Sequence, residues 1–283
     1  MDLQTVIYRP GPVARVILNR PEKLNAQSWT LLSEMDQAFA AAVADPECRV
    51  IVLSGQGRAF SAGHDLSSDQ QRADVAARQA PLDPFAMGLQ GRDIYTDSHL
   101  RWRDLPKPTI AMVHGHCIYG GWMIAAAMDI IFAADDAFFV PTYGDYFTAV
   151  WDLGPRKAKE LLFANRIIGA EEARAWGFVN RVFPADRLEA ETLHYAGRVA
   201  EQDLAGNRLT KFAINQAEDG MGFSASVRAV GASFITRRYE TRDQTAPQIV
   251  QAGQRPRPSG LGEQFRKRVA QAMAYFAEDR RGG

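Results

Sequence analysis

Apolar positions in the first part of the chain follow two different periods. Val13–Leu18 and residues 49–53 are short runs of β-branched and aliphatic residues bounded by turn formers, which predicts two strands. Between them, from Ser28 onwards, apolar residues recur at steps of three and four, which predicts an amphipathic helix. Strand, helix and strand in this order predict a βαβ unit and a layered α/β core.

The later pattern is strand-rich up to Gly154 and helical after it. Further strands are predicted at Thr109–Val113, at residues 129–133 and at Phe138–Val140, and a helix of small residues is predicted to begin at Gly120. Beyond Gly154 we predict helices over 157–163, 171–176, 188–199, 209–217 and 227–239, a short extended piece over 178–183, a linker-like tract over 253–260 and a last helical pattern from Phe265.

This change of pattern suggests two parts of unequal size. We expect a core over residues 1–200 and a C-terminal helical region over 201–283 that serves oligomerisation and covers the active site. The polar segment 67–98 contains scattered Pro and Gly, and it is predicted to be either a mobile connection or a partly helical cover.

Two stretches rich in small residues interrupt this pattern, and each follows a predicted strand. One is the loop 58–66, and the other is Tyr119-Gly120-Gly121. Strand ends and helix starts leave backbone N–H groups without partners, and such groups can donate to a negatively charged oxygen. Two of them converging on one carbonyl would form an oxyanion hole, which we take as the candidate chemistry of the chain.

Composition limits the classes of partner. The 283 residues are 46% hydrophobic, which is enough for a sizeable core, and 33 basic residues balance 33 acidic ones. A neutral balance favours neither nucleic acid nor an anionic membrane as a partner. The two cysteines fit a reducing compartment, and the N-terminal residues do not have the pattern of a signal peptide. The longest apolar run is broken by Asp129, so we expect no membrane span and a cytoplasmic protein.

Several motifs, in order, resemble the crotonase (enoyl-CoA hydratase/isomerase) superfamily. Residues 19–26 (Asn-Arg-Pro-Glu-Lys-Leu-Asn-Ala) resemble its first strand-end motif, and 59–66 (Ala-Phe-Ser-Ala-Gly-His-Asp-Leu) its first oxyanion loop. Residues 107–121 resemble the second oxyanion loop, and 170–184 the helix and strand that follow. The resemblance covers roughly residues 5–240. It implies a spiral of ββα turns, a C-terminal trimerisation region and a coenzyme A thioester as ligand.

The resemblance also assigns roles to individual residues. The backbone N–H groups of His64 and Gly120 should be the oxyanion donors, and no cofactor is implied beyond the coenzyme A that is part of the substrate. The expected assembly is a homotrimer or a dimer of trimers. The positions implied to contact the substrate or its coenzyme A are Lys23, Asn25, Ala26, Ala62, His64, Gly120 and Met123.

The chain departs from the family pattern at the acid and base. A hydratase of this kind has one glutamate three residues after the position of Gly120 and another twenty residues later, and here these positions are Met123 and Tyr143. Water addition needs carboxylates that position and deprotonate water. Ordinary hydration is therefore not expected. Asp145 and Asp152 are the nearest alternative carboxylates, although either could instead be a surface residue that caps a turn.

Other side chains allow more than one interpretation. Tyr143 and Tyr146 could protonate an enolate or form an aromatic wall of the acyl pocket, and the His64 side chain could contact substrate or leave that role to its backbone. Asp65 is expected to be structural. His114 and His116 could face one side of an extended segment, but no fourth ligand is near in sequence, so no metal site is predicted.

The leading hypothesis is an enzyme that stabilises a thioester enolate and acts as an isomerase, decarboxylase, C–C hydrolase or lyase. Its acid or base would come from residues 143–152, with His64, Gly120, Tyr143, Asp145 and Asp152 as the catalytic candidates. The alternative is a non-catalytic acyl-CoA-binding homologue that has kept the hole and lost the chemistry.

Overall fold

The computed structural model describes residues 2–66, 68–77, 84–142 and 144–243, together with helical positions 267, 270, 271, 273, 274 and 277. Tyr143 and the linker-like tract over 253–260 therefore lie outside the described residues, as does most of the last helical pattern. None of the helices in the described part combines the length and apolarity needed to cross a membrane.

The described strands form two sheets. The larger sheet has the order β1-β2-β3-β4-β6-β9, with β1 antiparallel to β2 and every other neighbouring pair parallel. The smaller sheet has the order β5-β7-β8. The strands are β1 (Val6–Arg9), β2 (Val13–Leu18), β3 (Val50–Gly55), β4 (Thr109–Val113), β5 (His116–Ile118), β6 (Ile130–Ala134), β7 (Phe138–Val140), β8 (Ile168–Gly169) and β9 (Arg181–Phe183).

Successive turns of the chain place one strand in each sheet. The chain crosses from the large sheet to the small one between β4 and β5, and again between β6 and β7. After β3 it also reaches the small sheet, where Ser61 forms a parallel bridge with Cys117 of β5. A helix follows each crossing. This repetition is the spiral of ββα turns that the resemblance implies, and it refines the layered α/β core predicted from the pattern alone.

The helices cover both faces of the large sheet. One face packs against a main apolar cluster, to which the helices that begin at Trp29, Ser98 and Gly120 contribute. The other face packs against a second cluster, to which the helix that begins at Leu188 contributes. The helices are α1 (Trp29–Ala44), α2 (Asp69–Ala77), α3 (Pro84–Arg92), a π-helical turn (Asp93–Asp97), α4 (Ser98–Arg103), α5 (Gly120–Ala126), α6 (Ala149–Leu153), α7 (Pro155–Phe163), α8 (Ala170–Ala175), α9 (Leu188–Ala200), α10 (Leu204–Gly220) and α11 (Phe223–Asp243).

The polar segment that follows the first small-residue loop is a helical cover. In its described part, α2, α3, the π-helical turn and α4 leave little irregular chain between residues 69 and 103. Asp74 of α2 fixes this cover to α1, because its carboxylate accepts hydrogen bonds from the backbone N–H and the hydroxyl of Thr30 (2.9 and 2.7 Å). Of the two alternatives that the sequence left open, the helical one is observed.

Capping residues explain where several helices begin and end. Helix α1 begins after Ser28, whose hydroxyl accepts from the N–H of Leu31, and Gly177 has the positive φ of +93° expected of a residue that ends a helix. Helix α10 begins at Leu204 rather than at residue 209, because Asp203 caps it by accepting from two backbone N–H groups. Gly206 and Asn207 hide this start, since both have low helix propensity.

Candidate active site

The loop 58–66 is held by a buried ion pair. The guanidinium of Arg20 donates to Oδ2 of Asp65 at 2.9 Å, and their side chains are only 7% and 6% exposed. Asp65 also accepts from the backbone N–H of Ser68 at 2.9 Å. These contacts agree with the structural role expected for Asp65.

Asn25 locks the neighbouring strand end onto the same loop. Its backbone is left-handed (φ 53°), and its fully buried amide donates to the carbonyl oxygens of Ala59 and Gln56 (2.7 and 3.0 Å). The N–H groups of Ala26 and Ala62 are also used internally, by Lys23 O and Leu24 O. The carbonyl oxygens of Asn25 and Ala26 also accept hydrogen bonds, from the Ser61 hydroxyl and the Arg20 guanidinium. A contact with coenzyme A through this backbone would therefore use the second lone pair of these carbonyls or the carbonyl of Ala62. Lys23 is exposed beside it, on the turn Pro21–Lys23.

The second loop reaches its position through a backbone conformation that non-glycine residues rarely adopt. Tyr119 has φ 48° and ψ −101°, and it precedes Gly120, the first residue of α5. Gly121 packs directly on the first loop, because a Cβ on it would lie 2.5 Å from the carbonyl oxygen of Ser61. Close packing of this kind requires glycine.

His64 and Gly120 lie side by side. A Cβ built on Gly63 would lie 3.2 Å from the N atom of Gly120, and one built on Gly120 would lie 2.7 Å from Cδ2 of His64. Among the described residues, neither the N–H of His64 nor that of Gly120 donates to an acceptor, whereas the neighbouring N–H of Asp65 bonds to Gln27 O. The two donors named from the sequence are therefore brought together and are available to a ligand oxygen.

The His64 imidazole is neutral at physiological pH. Burial lowers the pKa of His64 to about 4. Its ring packs against Tyr95, with ring centroids 4.4 Å apart. Its Nε2 is buried and has no hydrogen-bond partner in the described part of the chain, and the same holds for Oε1 of Gln27, which lies across Gly120 from it.

The two positions where a hydratase has glutamates provide no carboxylate. Met123 is fully buried in the main apolar cluster, one turn along α5 from Gly120. Tyr143 lies outside the described residues. Asp145 is partly exposed and has a left-handed backbone (φ 54°) in the turn before Tyr146.

The carboxyl group of Asp152 lies beside Thr148 and Trp122. Burial raises the pKa of Asp152 to about 7, although Thr148 and Trp122 donate hydrogen bonds to its Oδ2 (2.6 and 3.1 Å) and favour the charged form. It lines a pocket of about 550 Å³ together with Trp151, Phe178 and the far end of α5. Neither His64 nor Gly120 is among the residues that line this pocket. Asp152 is connected to their neighbourhood by its hydrogen bond from Trp122, which directly follows Gly121.

Two residues that the sequence did not indicate as a pair also contribute polar atoms near the site. His99 and Tyr146 are fully buried and stack on each other, with ring centroids 5.2 Å apart. The sequence indicates Tyr146 as a proton donor or an aromatic wall, but it does not indicate His99. Only the four-residue spacing from Tyr95 to His99, once a helix is assumed, would have placed His99 on the same face.

The histidines considered as metal ligands have other contacts. Nε2 of His114 lies 2.8 Å from the carbonyl oxygen of Gly57, and the ring of His116 packs edge-on against Phe138. Within the described ranges, no group of three or more His, Cys, Asp and Glu side chains could hold a metal ion.

Comparison with known proteins gives this arrangement its context. The family profile for enoyl-CoA hydratase/isomerase matches residues 9–229 of the chain. The chain belongs to the enoyl-CoA hydratase/isomerase family. It therefore has the crotonase fold, in a family of enzymes that act on coenzyme A thioesters.

Individual members of the enoyl-CoA hydratase/isomerase family support this assignment. The chain is 39% identical over 239 residues to the provisionally named enoyl-CoA hydratase EchA13 of Mycobacterium tuberculosis, covering 77% of this chain and 74% of the relative. The crystal structure of a probable enoyl-CoA hydratase from Mycobacterium smegmatis matches with a TM-score of 0.77 and 37% identity over 86% of this chain and 98% of that one. For the corresponding protein of Mycobacterium thermoresistibile, the TM-score is 0.74 and the identity 40%, over 82% and 95%.

Proposed function

We propose that the chain binds an acyl-CoA thioester and stabilises its enolate between the backbone N–H groups of His64 and Gly120. The observation that carries this proposal is the pair of adjacent donors without acceptors among the described residues. Removing one donor from an oxyanion hole typically costs about 2.7–4 kcal/mol of transition-state stabilisation. A hole of this kind serves any reaction that passes through an enolate.

The reaction following enolate formation is proposed to be other than simple hydration. Methionine at position 123 can neither deprotonate water nor protonate carbon, and its side chain is 0% exposed. Isomerisation, decarboxylation and other lyase reactions need the hole but no activated water, and C–C hydrolysis needs a base for its water but not the glutamate pair of a hydratase. These are the reaction types that the site favours.

Asp152 is the candidate acid or base best supported by its surroundings. A group that transfers protons near neutral pH works best with a pKa close to that pH, and burial gives Asp152 a pKa of about 7. Asp145 and Tyr143 remain candidates on sequence grounds. Trp122, which directly follows Gly120 and Gly121, donates a hydrogen bond to Asp152.

The proposed ligand contacts and assembly follow the family. We propose that exposed Lys23 contacts coenzyme A and that the backbone at Asn25, Ala26 and Ala62 contacts its adenine. A homotrimer, alone or paired with a second one, would bury apolar side chains that are exposed in the single chain on α10 and at its end. These side chains are Leu209, Phe212, Ile214 and Met221, which are 70%, 63%, 56% and 70% exposed.

Mass spectrometry of the protein incubated with saturated, 2-enoyl, 3-enoyl, aromatic, β-keto and malonyl thioesters in oxygen-18 water tests the proposal. An isomer shift, a fragmentation or a decarboxylation supports it and names the reaction. Incorporation of one labelled water into an enoyl ester would show that hydration survives without the usual glutamates. Tight binding of the esters with no product from any of them would favour the alternative, a non-catalytic acyl-CoA-binding homologue.

A further inference from the structure

His99 and Tyr146 present buried polar atoms that nothing in the described part of the chain satisfies. Both residues are 0% exposed, and neither Nε2 of His99 nor the hydroxyl of Tyr146 has a hydrogen-bond partner there. Buried polar groups are nearly always paired, because an unpaired one loses its bonds to water without replacement. Two such groups stacked on each other therefore call for an explanation.

The unpaired nitrogen of His99 is a hydrogen-bond acceptor. The hydroxyl of Ser98 donates its single proton to the carbonyl oxygen of Ile94 at 2.6 Å, so toward Nδ1 of His99, 3.1 Å away, it can only accept. The proton of His99 is therefore on Nδ1, and Nε2 has a free lone pair. Burial lowers the pKa of His99 well below its usual value, so the ring stays neutral, and burial likewise raises the pKa of Tyr146, so its hydroxyl keeps its proton.

The pair lies near the ring of His64. Tyr95, in the π-helical turn, contacts the His64 ring, and His99 follows four residues later on the same helical face. Charge on His64 would also lower the pKa of His99, which places the two rings within electrostatic reach. Tyr146 closes the arrangement from the segment that precedes α6, and its ring stacks on His99.

We propose that His99 and Tyr146 form a recognition site for a hydroxyl group carried on the acyl chain of the thioester. One hydroxyl satisfies both groups, because it donates its proton to Nε2 of His99 and accepts the proton of Tyr146. A keto oxygen can only accept, and an alkyl chain does neither. This inference rests on the proposed function and narrows its substrate to hydroxyacyl thioesters.

The position of the pair places the hydroxyl away from the reacting carbons. His99 lies four residues further along the cover than Tyr95, the residue that contacts the His64 ring. We therefore expect the hydroxyl beyond the carbons next to the thioester, on the distal part of a medium-length chain. The two atoms are closed to solvent, so we expect the hydroxyl to enter by separation of the stacked rings.

Calorimetric titration with hexanoyl-CoA and its 3-hydroxy, 5-hydroxy and 6-hydroxy counterparts tests this proposal. We expect the parent to bind a 5-hydroxy or 6-hydroxy ester about tenfold or more tighter than hexanoyl-CoA, with no such gain for the 3-hydroxy ester. Tyr146→Phe and His99→Phe keep an aromatic ring and remove one polar atom each. Each should abolish the preference without weakening the binding of hexanoyl-CoA.

A matched control comes from strand β1. Tyr8 of β1 also has a buried hydroxyl without a partner among the described residues, so Tyr8→Phe removes the same group and should leave the preference intact. Equal binding of all four esters by the parent would overturn the hydroxyl site alone. A preference that survives in Tyr146→Phe and in His99→Phe would also overturn the hydroxyl site. Binding of no ester at all would overturn the proposed function together with this inference.

Discussion

The α-carbon of Gly120 faces the imidazole of His64 so closely that no side chain fits between them. A Cβ on Gly120 would lie 2.7 Å from Cδ2 and 2.9 Å from Nε2 of that ring, and 2.6 Å from Oε1 of Gln27. Two ring atoms of His64 and the amide oxygen of Gln27 therefore fill the space in front of the Gly120 α-carbon. A side chain at this position would have to displace the His64 ring or the Gln27 amide.

Gly120→Ala should lower kcat/KM by about a hundredfold or more, because its methyl group displaces the ring or fills the hole, and the loss of one oxyanion donor typically has this size. Gly197→Ala is the matched control, since a Cβ there meets nothing within 4 Å, and it should leave the kinetics unchanged. Steady-state rates on the best thioester of the panel measure both. Parent-like turnover by Gly120→Ala would show that the hole does not drive the reaction.

Asp152→Asn should change how stability depends on pH. The folded chain holds this proton up to about pH 7, whereas the unfolded chain releases it near pH 4. Between these values the folded state binds more protons, so raising the pH lowers the free energy of unfolding, by at most about 1.4 kcal/mol per pH unit. The contribution is complete below about pH 4 and is lost as the pH rises through 7.

Urea unfolding of the parent and of Asp152→Asn at several pH values between 4.5 and 7.5 measures this effect. The stability of the parent relative to the variant should fall steadily with rising pH, and the contributions of other titrating groups cancel in the difference. Parallel curves would mean that the carboxyl group is not held protonated in the folded chain.

The same substitution tests the catalytic role of Asp152. If this carboxyl group transfers the proton, Asp152→Asn should reduce kcat by about a hundredfold or more and remove an inflection near pH 7 from the rate profile. Asp145→Asn, at the partly exposed aspartate of the same segment, is the comparison. Should Asp145→Asn cause the larger loss, the two assignments would have to be exchanged.

Breaking the ion pair of the first oxyanion loop should be costly. Asp65→Ala leaves Arg20 buried and without its charge partner, which typically costs about 3–5 kcal/mol of folding stability. The exposed pair of Arg174 and Glu171 is the control, because its side chains are 53% and 65% exposed, and Glu171→Ala should cost less than about 1 kcal/mol. Denaturant midpoints measure both, and similar losses would contradict the assigned burial.

Helix α11 should depend on a glycine where it crosses the cover. A Cβ on Gly231 would lie 2.8 Å from Oγ1 of Thr96, so Gly231→Ala should destabilise the fold by about 1–3 kcal/mol through overpacking. Gly197→Ala, in the open interior of α9, should instead stabilise it by about 0.5–1 kcal/mol. Thr96→Ala combined with Gly231→Ala should recover most of the loss, and no recovery would place the strain elsewhere.

The sequence predicted the parts of this structure that depend on local patterns. Val13–Leu18, Thr109–Val113 and Phe138–Val140 were predicted with the observed bounds, because apolar runs between turn formers are a strong signal. The motif resemblance correctly supplied the family, and with it the spiral that periodicity alone could not distinguish from other layered α/β folds.

The remainder depends on contacts that are distant in sequence. Asn25 can be seen to hold the loop only when Ala59, thirty-four residues away, is beside it. The unpaired lone pair of His99 depends on which way the Ser98 proton points, and the elevated pKa of Asp152 depends on burial. None of these properties leaves a pattern in a single sequence.

Ser61 and Cys117 form a parallel bridge between two turns of the spiral, with hydrogen bonds from Ser61 N to His116 O and from Ile118 N to Ser61 O (2.8 and 3.1 Å). Main-chain pairing, which no single side chain encodes, thus sets the separation of the two segments that carry the proposed oxyanion donors. Point mutations can exchange the side chains around these segments while the pairing persists. Within such a scaffold, evolution can change the reaction without first rebuilding the place where it happens.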